Sequence, residues 1–414
     1  MATWGEHVLA EAMTNIEPTV QGLTPSSDNV ERTERSRWPA VLVIALLLGA
    51  AIIGIPVGIA SHEANAYYVF SPGTAPVITT NAGCKPADGE LALPGGEPCV
   101  RLVLPQSKAH RVDGQLLMVD VEVAQAGPLD WAKYELGLLG NSRQFVPVAA
   151  YAGTTPTSEL GCQDTQEMVS ADQDAALAAL AVLSYKVDQK PLGVQIDTVL
   201  AGTPAWKAGL ECNDVITAVN GKPVLTAEAL TAALQPLQPG DVVSLTDHPA
   251  GGSTTKEVKV RLTRPSASAL ADGFNGHAYM GLDVETRVKP VLPFPVSVNA
   301  GAIGGPSAGL AFTLAILDAL SNGKLTGGHK VAATGTIDPQ GDVGEVGGVQ
   351  EKTVAVEKAG AQVFFVPKAE YADAQSVGHG SLKIVPVTTL GQVLQTLQQS
   401  YGGDLSGFKG LTRA

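Results

Sequence analysis

Basic residues are scarce in this chain. Its 27 Lys and Arg are outnumbered by 40 Asp and Glu, a formal charge of −13, and nowhere do they form a run. A nucleic-acid surface needs clustered Lys and Arg against the phosphates, so nucleic acid is not an expected partner. None of the seven His stands in a recognisable triad motif. A phosphate-binding G-x-x-x-x-G-K-[ST] loop is also missing, because "GGVQEKT" would need glycines where Val346 and Glu351 stand. ATP is therefore not expected as a ligand. The four cysteines include no C-x-x-C pair and have no His close by, which argues against zinc. No metal and no cofactor is expected. With 45% hydrophobic and 16% charged residues, the composition suits folded domains rather than disorder.

What the chain does have is one long uncharged stretch, "PAVLVIALLLGAAIIGIPVGIA", over 39–60. As a helix it would reach about 33 Å, enough for a bilayer core of about 30 Å. A soluble helix rarely stays apolar on every face for so long, and Gly54 and Pro56 are tolerated in membrane spans. Arg32, Arg35 and Arg37 precede the stretch, whereas Lys85 is the first basic residue after it. The positive-inside rule then places the N-terminus in the cytoplasm and the bulk of the chain outside the cell membrane. A cleaved signal peptide is the rival reading, since "ANA" at 64–66 has the small-x-small form. The apolar region is too long and starts too late for one, which favours an uncleaved single-pass anchor. All four cysteines fall on the exported side. Cys84 and Cys99 bracket the Gly/Pro-rich "KPADGELALPGGEP", a loop that a disulfide would close in an oxidising compartment. Cys162 with Cys212 is a further pairing that the sequence leaves open.

The chain thus divides into a cytoplasmic tail (1–38), a transmembrane helix (39–61) and exported segments. "CVRLVLP" and "QLLMVDVEVA" alternate as half-buried strands do, and residues 166–183 carry helical spacing. Residues 187–265 read as a separate β-rich module with two helices, "AWKAGL" and "TAEALTAALQPL", and an Asn220-Gly221 hairpin turn. Its phrase "AGLECNDVITAVNGKPV" makes this module resemble a PDZ domain of the kind attached to bacterial extracytoplasmic proteases. That resemblance implies peptide binding along "KPLGVQI", at Leu192, Gly193, Val194, Gln195 and Ile196, by addition of a strand to an exposed edge. A linker leads to a final domain at 278–400, and 401–414 reads as a mobile tail.

Ser307, in "GAIGGPSAGLAFTLAILDAL", sits where a glycine-rich turn enters an apolar helix. Serine there is a helix cap or a nucleophile, and the segment alone favours the cap. A nucleophile at this place would have the unpaired N–H groups of the helix start beside it to hold an oxyanion, those of Gly304, Ser307 and Ala308. It also needs a base. Lys352 shares a helical face with Val349 and Val356, and a lysine desolvated among apolar side chains has a lowered pKa that suits a base. Spacing alone leaves a solvent-facing lysine equally open.

"GGPSAGLAFTLAIL" followed by "ATGTIDPQGDVGEVGGVQEKTVAVEKAGAQVFFVPK" closely resembles the proteolytic domain of Lon proteases. The resemblance implies a mixed α/β (α+β) proteolytic domain in which Ser307 is the nucleophile, Lys352 its base and Thr334 a hydrogen-bonding support for the lysine. With the N-terminal span and the PDZ-like module, the layout is similar to that of membrane-anchored, PDZ-containing Lon-like proteases. Residues 62–186 are then expected to pack with the Lon-type domain, with the PDZ module as an insertion. The implied activity is that of an ATP-independent serine endopeptidase acting on exported peptides or unfolded protein segments. The alternative is a non-catalytic PDZ scaffold that binds partner C-termini. Two departures from the cytoplasmic Lon pattern are visible: Gly304 and Thr336 stand where those enzymes usually carry acidic residues. Larger relatives form rings, and the sequence leaves the oligomeric state open.

Overall fold

The strand β1 (Tyr67–Pro72) is the first described strand, followed by β2 (Val77–Thr79), a small hairpin of β3 (Lys85–Ala87) and β4 (Glu90–Ala92), then β5 (Cys99–Val103), β6 (Gln115–Leu117), β7 (Val121–Gln125) and β8 (Gln144–Pro147). The computed structural model describes residues 64–81, 84–87, 90–92, 98–138, 143–151, 157–250, 254–271, 278–301 and 303–408. The expected cytoplasmic tail and transmembrane span lie outside them. Among the described residues, no helix is long and apolar enough to cross a membrane.

The largest sheet forms around two continuous apolar runs near the C-terminus. In β16 (Lys330–Ala333) only the first residue is partly exposed, and β19 (Val363–Pro367) is buried throughout. Such runs are the mark of parallel strands covered on both faces. They pair in parallel, Val331 opposite Val363, and β20 (Lys383–Val387) continues the parallel order. With β15 (Ser297–Asn299), the full order is β15-β5-β2-β6-β16-β19-β20. Strands from both sides of residues 187–265 therefore share one sheet. The Cys84–Cys99 disulfide, with Cα atoms 6.0 Å apart, closes the hairpin loop beside it.

Helices cover this sheet: α2 (Thr157–Val182), α4 (Gly309–Leu320), α5 (Val349–Lys358) and α6 (Leu390–Tyr401), with α1 (Pro128–Glu135) preceding α2 and α3 (Ala227–Leu234) lying between α2 and α4 in chain order. Every residue of α4 from Gly309 to Ala319 is buried, as an all-round apolar helix requires. Ala175–Ala179 of α2 and Leu390, Val393, Leu394 and Leu397 of α6 pack into the same core.

The run "QLLMVDVEVA", expected as one strand, is two. β6 lies in the large sheet, whereas β7 joins β1 and β8 in a separate three-stranded sheet. Met118, Val119 and Asp120 make the crossing. The alternation of apolar residues survives the break, which is why the sequence does not reveal it.

The β-rich module comprises β9 (Asp188–Val199), β10 (Val215–Val219), β11 (Lys222–Pro223), β12 (Val242–His248), β13 (Lys256–Arg261) and α3, around its own core of Val194, Ile196, Ile216, Leu230, Val243, Leu245 and Val260. Asn220 and Gly221 both have positive φ, 50° and 74°, as the hairpin turn demands. The expected boundary at 265 is too early. β14 (Leu282–Val291) pairs antiparallel with β9 from Leu282 opposite Val199 to Val291 opposite Asp188, so the sheet order is β13-β12-β10-β9-β14. The closing strand of the module thus comes from the segment expected to open the last domain. The Cys162–Cys212 disulfide ties α2 to this module.

Residues 402–408 also differ from the expected mobile tail, whose last residues, 409–414, lie outside the described residues. Gly402 turns the chain with φ 71°, Gly403 N–H donates to the Leu397 carbonyl (3.0 Å), and Asp404 N–H to that of Lys324 (3.1 Å). Phe408 is 7% exposed and packs into the main core. Phe408→Ala is expected to cost roughly 3 kcal/mol, because a buried ring is replaced by a cavity. A urea denaturation midpoint checks this.

Candidate active site

Ser307 lies in the short 3-10 turn Pro306–Ala308 that leads into α4. The turn is set by Gly305 at φ 85°, and by Gly304, where a Cβ would come within 2.9 Å of Asp164 Cβ on α2. Gly305 N–H donates to the Asp164 carbonyl (2.8 Å), so α2 clamps the loop. No side-chain cap bond forms at either this turn or α4. Ser307 is thus not a capping residue, and its half-buried hydroxyl opens into a cavity of about 730 Å³. Its carbonyl is fixed from two sides, by Gly335 N–H (2.9 Å) and by the Thr334 hydroxyl (3.1 Å). The N–H groups of Ser307 and Ala308 stand at a helix start, where backbone donors have no intrahelical acceptor. That of Gly309 donates to Pro306, and that of Gly305 is taken by α2.

Lys352 opens into the same cavity from α5. The helix starts at Gly348, whose φ of 66° and close approach to Val121 (a Cβ would meet Cγ2 at 2.7 Å) admit no larger residue. Val349, Lys352 and Val356 are all buried, at 4%, 3% and 0% exposure, so the shared face points inward. Burial pushes the Lys352 ammonium down to about 8, with nearby carboxylates, first Asp120 and then Glu370 and Glu351, pulling in the opposite direction. No direct hydrogen bond joins Ser307 Oγ and Lys352 Nζ in this state; catalytic hydrogen bonds often tighten only when substrate binds.

Asp120, at the crossing between β6 and β7, also lines this cavity. Its carboxylate accepts from Thr74 twice, from the backbone N–H and from the hydroxyl (2.8 Å). Sequence reasoning missed Asp120, since nothing local marks it out. Asp164 and Glu167, from α2, line the cavity as well. The acidic side chains absent from positions 304 and 336 are thus matched in space by carboxylates from distant segments. A smaller neighbouring cavity of about 370 Å³, beside Pro306, carries Glu167, Asp174, Asp197, Asp283 and Glu285. Burial, reinforced by Glu285, pushes Asp197 to about 7 and Asp174 to about 6.

Two expected placements change. Thr334 is fully buried beside the site, but its hydroxyl donates to the Ser307 carbonyl rather than to Lys352, so it braces the loop that carries Ser307. Leu192, Gly193, Val194, Gln195 and Ile196 all lie within β9, where Val194 and Gln195 pair with β10 on one side and β14 on the other. An edge engaged on both sides cannot accept a further strand. The outer strands of this sheet are β13 and β14, and α3 lies alongside β14 through the Ala227 N–H donated to Thr286 Oγ1 (2.9 Å). The missed signal was "YMGLDV" at 279–284, a glycine entering an alternating strand.

Fold and site together define a mixed α/β protein in which a helix-start serine and a buried lysine line one cavity, with a module built on one six-stranded sheet set into the chain. Residues 288–399 match the Lon protease (S16) C-terminal proteolytic domain, and residues 195–246 match a PDZ domain. The chain therefore carries a Lon-type proteolytic domain and a PDZ domain. It is 37% identical over 103 residues to the Lon protease of Mesomycoplasma hyopneumoniae, covering 24% of this chain and 12% of that one. The Lon protease of Malacoplasma penetrans is 31% identical over 179 residues, 42% of this chain and 22% of that one. That of Methanosarcina barkeri is 26% identical over 289 residues, 69% of this chain and 32% of its own length. The matches thus span a third or less of these relatives.

Proposed function

We propose that this protein is an ATP-independent serine endopeptidase, held at the outer face of the cell membrane by residues 39–61, with Ser307 as nucleophile and Lys352 as general base. The observation that carries the reading is the burial of Lys352 in the cavity that Ser307 faces, which lowers its pKa to about 8 and supplies a neutral amine near physiological pH. Lys352 Nζ takes the proton of Ser307 Oγ as the oxygen attacks the scissile carbonyl. The N–H groups of Ser307 and Ala308 receive the developing oxyanion. Lys352 returns the proton to the leaving amine, and the acyl-enzyme is then hydrolysed by a water that the same amine deprotonates.

Substrates are extended peptides or unfolded segments of exported proteins, since the chain carries no phosphate-binding motif to power unfolding. The PDZ domain selects them by strand addition to the outer edge of β14. Leu282 and Val284, half-buried on the face toward the module's core, offer apolar contacts for alternate side chains of such a strand.

Incubating the full chain in detergent with casein, without ATP, and reading the products by mass spectrometry tests this function. Cleavage by the parent and none by Ser307→Ala is the expected result. Equal products from Ser307→Ala would overturn the assignment of the nucleophile, and no cleavage by correctly folded parent would favour a peptide-binding scaffold.

A further inference from the structure

The first described residues lie against an unusual patch of surface. Ala64 is fully buried, and with Val69 and Ala126 it forms a small core under Tyr67, Trp131 and Phe145. The rings continue outward: Tyr67 stacks on Trp131 at 5.6 Å, Trp131 lies 5.7 Å from Tyr134, and Tyr134 stacks on Phe145 at 4.6 Å. Beyond them α1 and the residues after it present Leu129, Tyr134, Leu136 and Leu138 to solvent, with exposures of 66%, 47%, 70% and 68%. Single exposed leucines need no explanation, but three within ten residues on an aromatic base form a contiguous apolar surface. The segment 127–138 carries only Asp130, Lys133 and Glu135 as charged groups.

We propose that this surface seats on the outer interface of the bilayer, with Leu129, Leu136 and Leu138 in the upper acyl region and Trp131 and Tyr134 at headgroup level. The proposal rests on reading residues 39–60 as an uncleaved membrane span. The length of chain between the two selects the lipid as occupant. The apolar run ends at Ala60 and Ala64 is already packed under the rings, so four residue steps separate them, about 14 Å of chain at full stretch. A domain tethered that closely has its aromatic end within reach of the headgroups in any orientation that the tether allows. Tyr and Trp with an apolar body and a polar edge are the side chains that settle there, and leucines beside them insert below.

All four cysteines are in disulfides, so one introduced cysteine carries a unique label. The full chain is reconstituted in vesicles of anionic and zwitterionic lipid with an environment-sensitive fluorophore on Leu129→Cys, Leu136→Cys or, as control, Lys222→Cys of the PDZ domain. Bromine-bearing lipids report lipid contact and iodide reports water. Labels at 129 and 136 are expected to be quenched several-fold more strongly by the lipids than the label at 222, and less by iodide. Iodide quenching equal to that at 222, in a chain that resists carbonate extraction, would overturn the proposal and leave the anchor standing. Shielding at 129 and 136 from both quenchers would overturn it in favour of a second copy of the chain on this face. Extraction of the chain by carbonate would remove the anchor and the proposal with it.

Discussion

Lys352→Met is expected to abolish peptide cleavage while making the folded protein more stable. Loss of the base removes the proton acceptor for Ser307, and general-base contributions put the expected fall in kcat/KM at roughly 100-fold to 10,000-fold. The stability gain follows from linkage. The pKa of Lys352 is lowered on folding from 10.5 to about 8, so the native state penalises the ammonium. Below pH 8 the lysine is charged in both states and the penalty is full. It disappears as pH rises from about 8 to about 10.5, where the group becomes neutral in the unfolded chain too. At about 1.4 kcal/mol per pH unit, the penalty at neutral pH is on the order of 3 kcal/mol. Methionine fills similar space without a charge, so a denaturant midpoint at pH 7 should rise and the difference from the parent should vanish near pH 11. A merely structural lysine would show the reverse, stability lost with activity retained. The parent's own rate should climb with pH through an inflection near 8, as the amine becomes available.

Asp120→Asn tests the other half of the site. The Asp120 carboxylate faces the cavity and is the first among the charges that favour the Lys352 ammonium. In the proposed mechanism Lys352 becomes that ammonium when it accepts the Ser307 proton, so Asp120 would stabilise the charge formed during attack. Without it, the limiting rate should fall by roughly tenfold to 100-fold, a share of the general-base contribution. The inflection of the pH profile should move to lower pH, because a positive charge has lost its negative neighbour. A Thr74→Val variant removes the hydroxyl bond to Asp120 and keeps the carboxylate. Its inflection should stay where the parent's is. If Asp120→Asn loses rate with no movement of the inflection, Asp120 serves the fold rather than the lysine.

The residues legible in the sequence were those whose chemistry depends on near neighbours. Glycines at 304 and 305 and Pro306 shape the turn at Ser307, and Lys352 shares a face with Val349 and Val356, a face that spacing left open and the fold turns inward. Asp120 was invisible because its environment is made by Thr74, Ser307 and Lys352, which only the three-dimensional fold gathers. The PDZ edge was misplaced for a related reason. β9 reads locally as an open strand, and its second partner, β14, follows more than eighty residues later, beyond the linker that seemed to end the module. Thr334 lies beside Ser307, yet its hydrogen bond goes to a backbone carbonyl, a choice between acceptors that residue type cannot disclose.

The strand β1 joins the aromatic cluster to the catalytic cavity. Its first residue, Tyr67, belongs to the rings that rest against Ala64, and its last, Pro72, pairs with Val121 on the cavity wall. Five residue steps of about 3.3 Å make this a rigid spacer of about 17 Å. If the aromatic end sits at the lipid as proposed, β1 would act as a ruler. A polypeptide still embedded in the same membrane would need only a handful of extended residues beyond the headgroups to bring a peptide bond to Ser307, whereas a shorter tether would hold every bond out of reach.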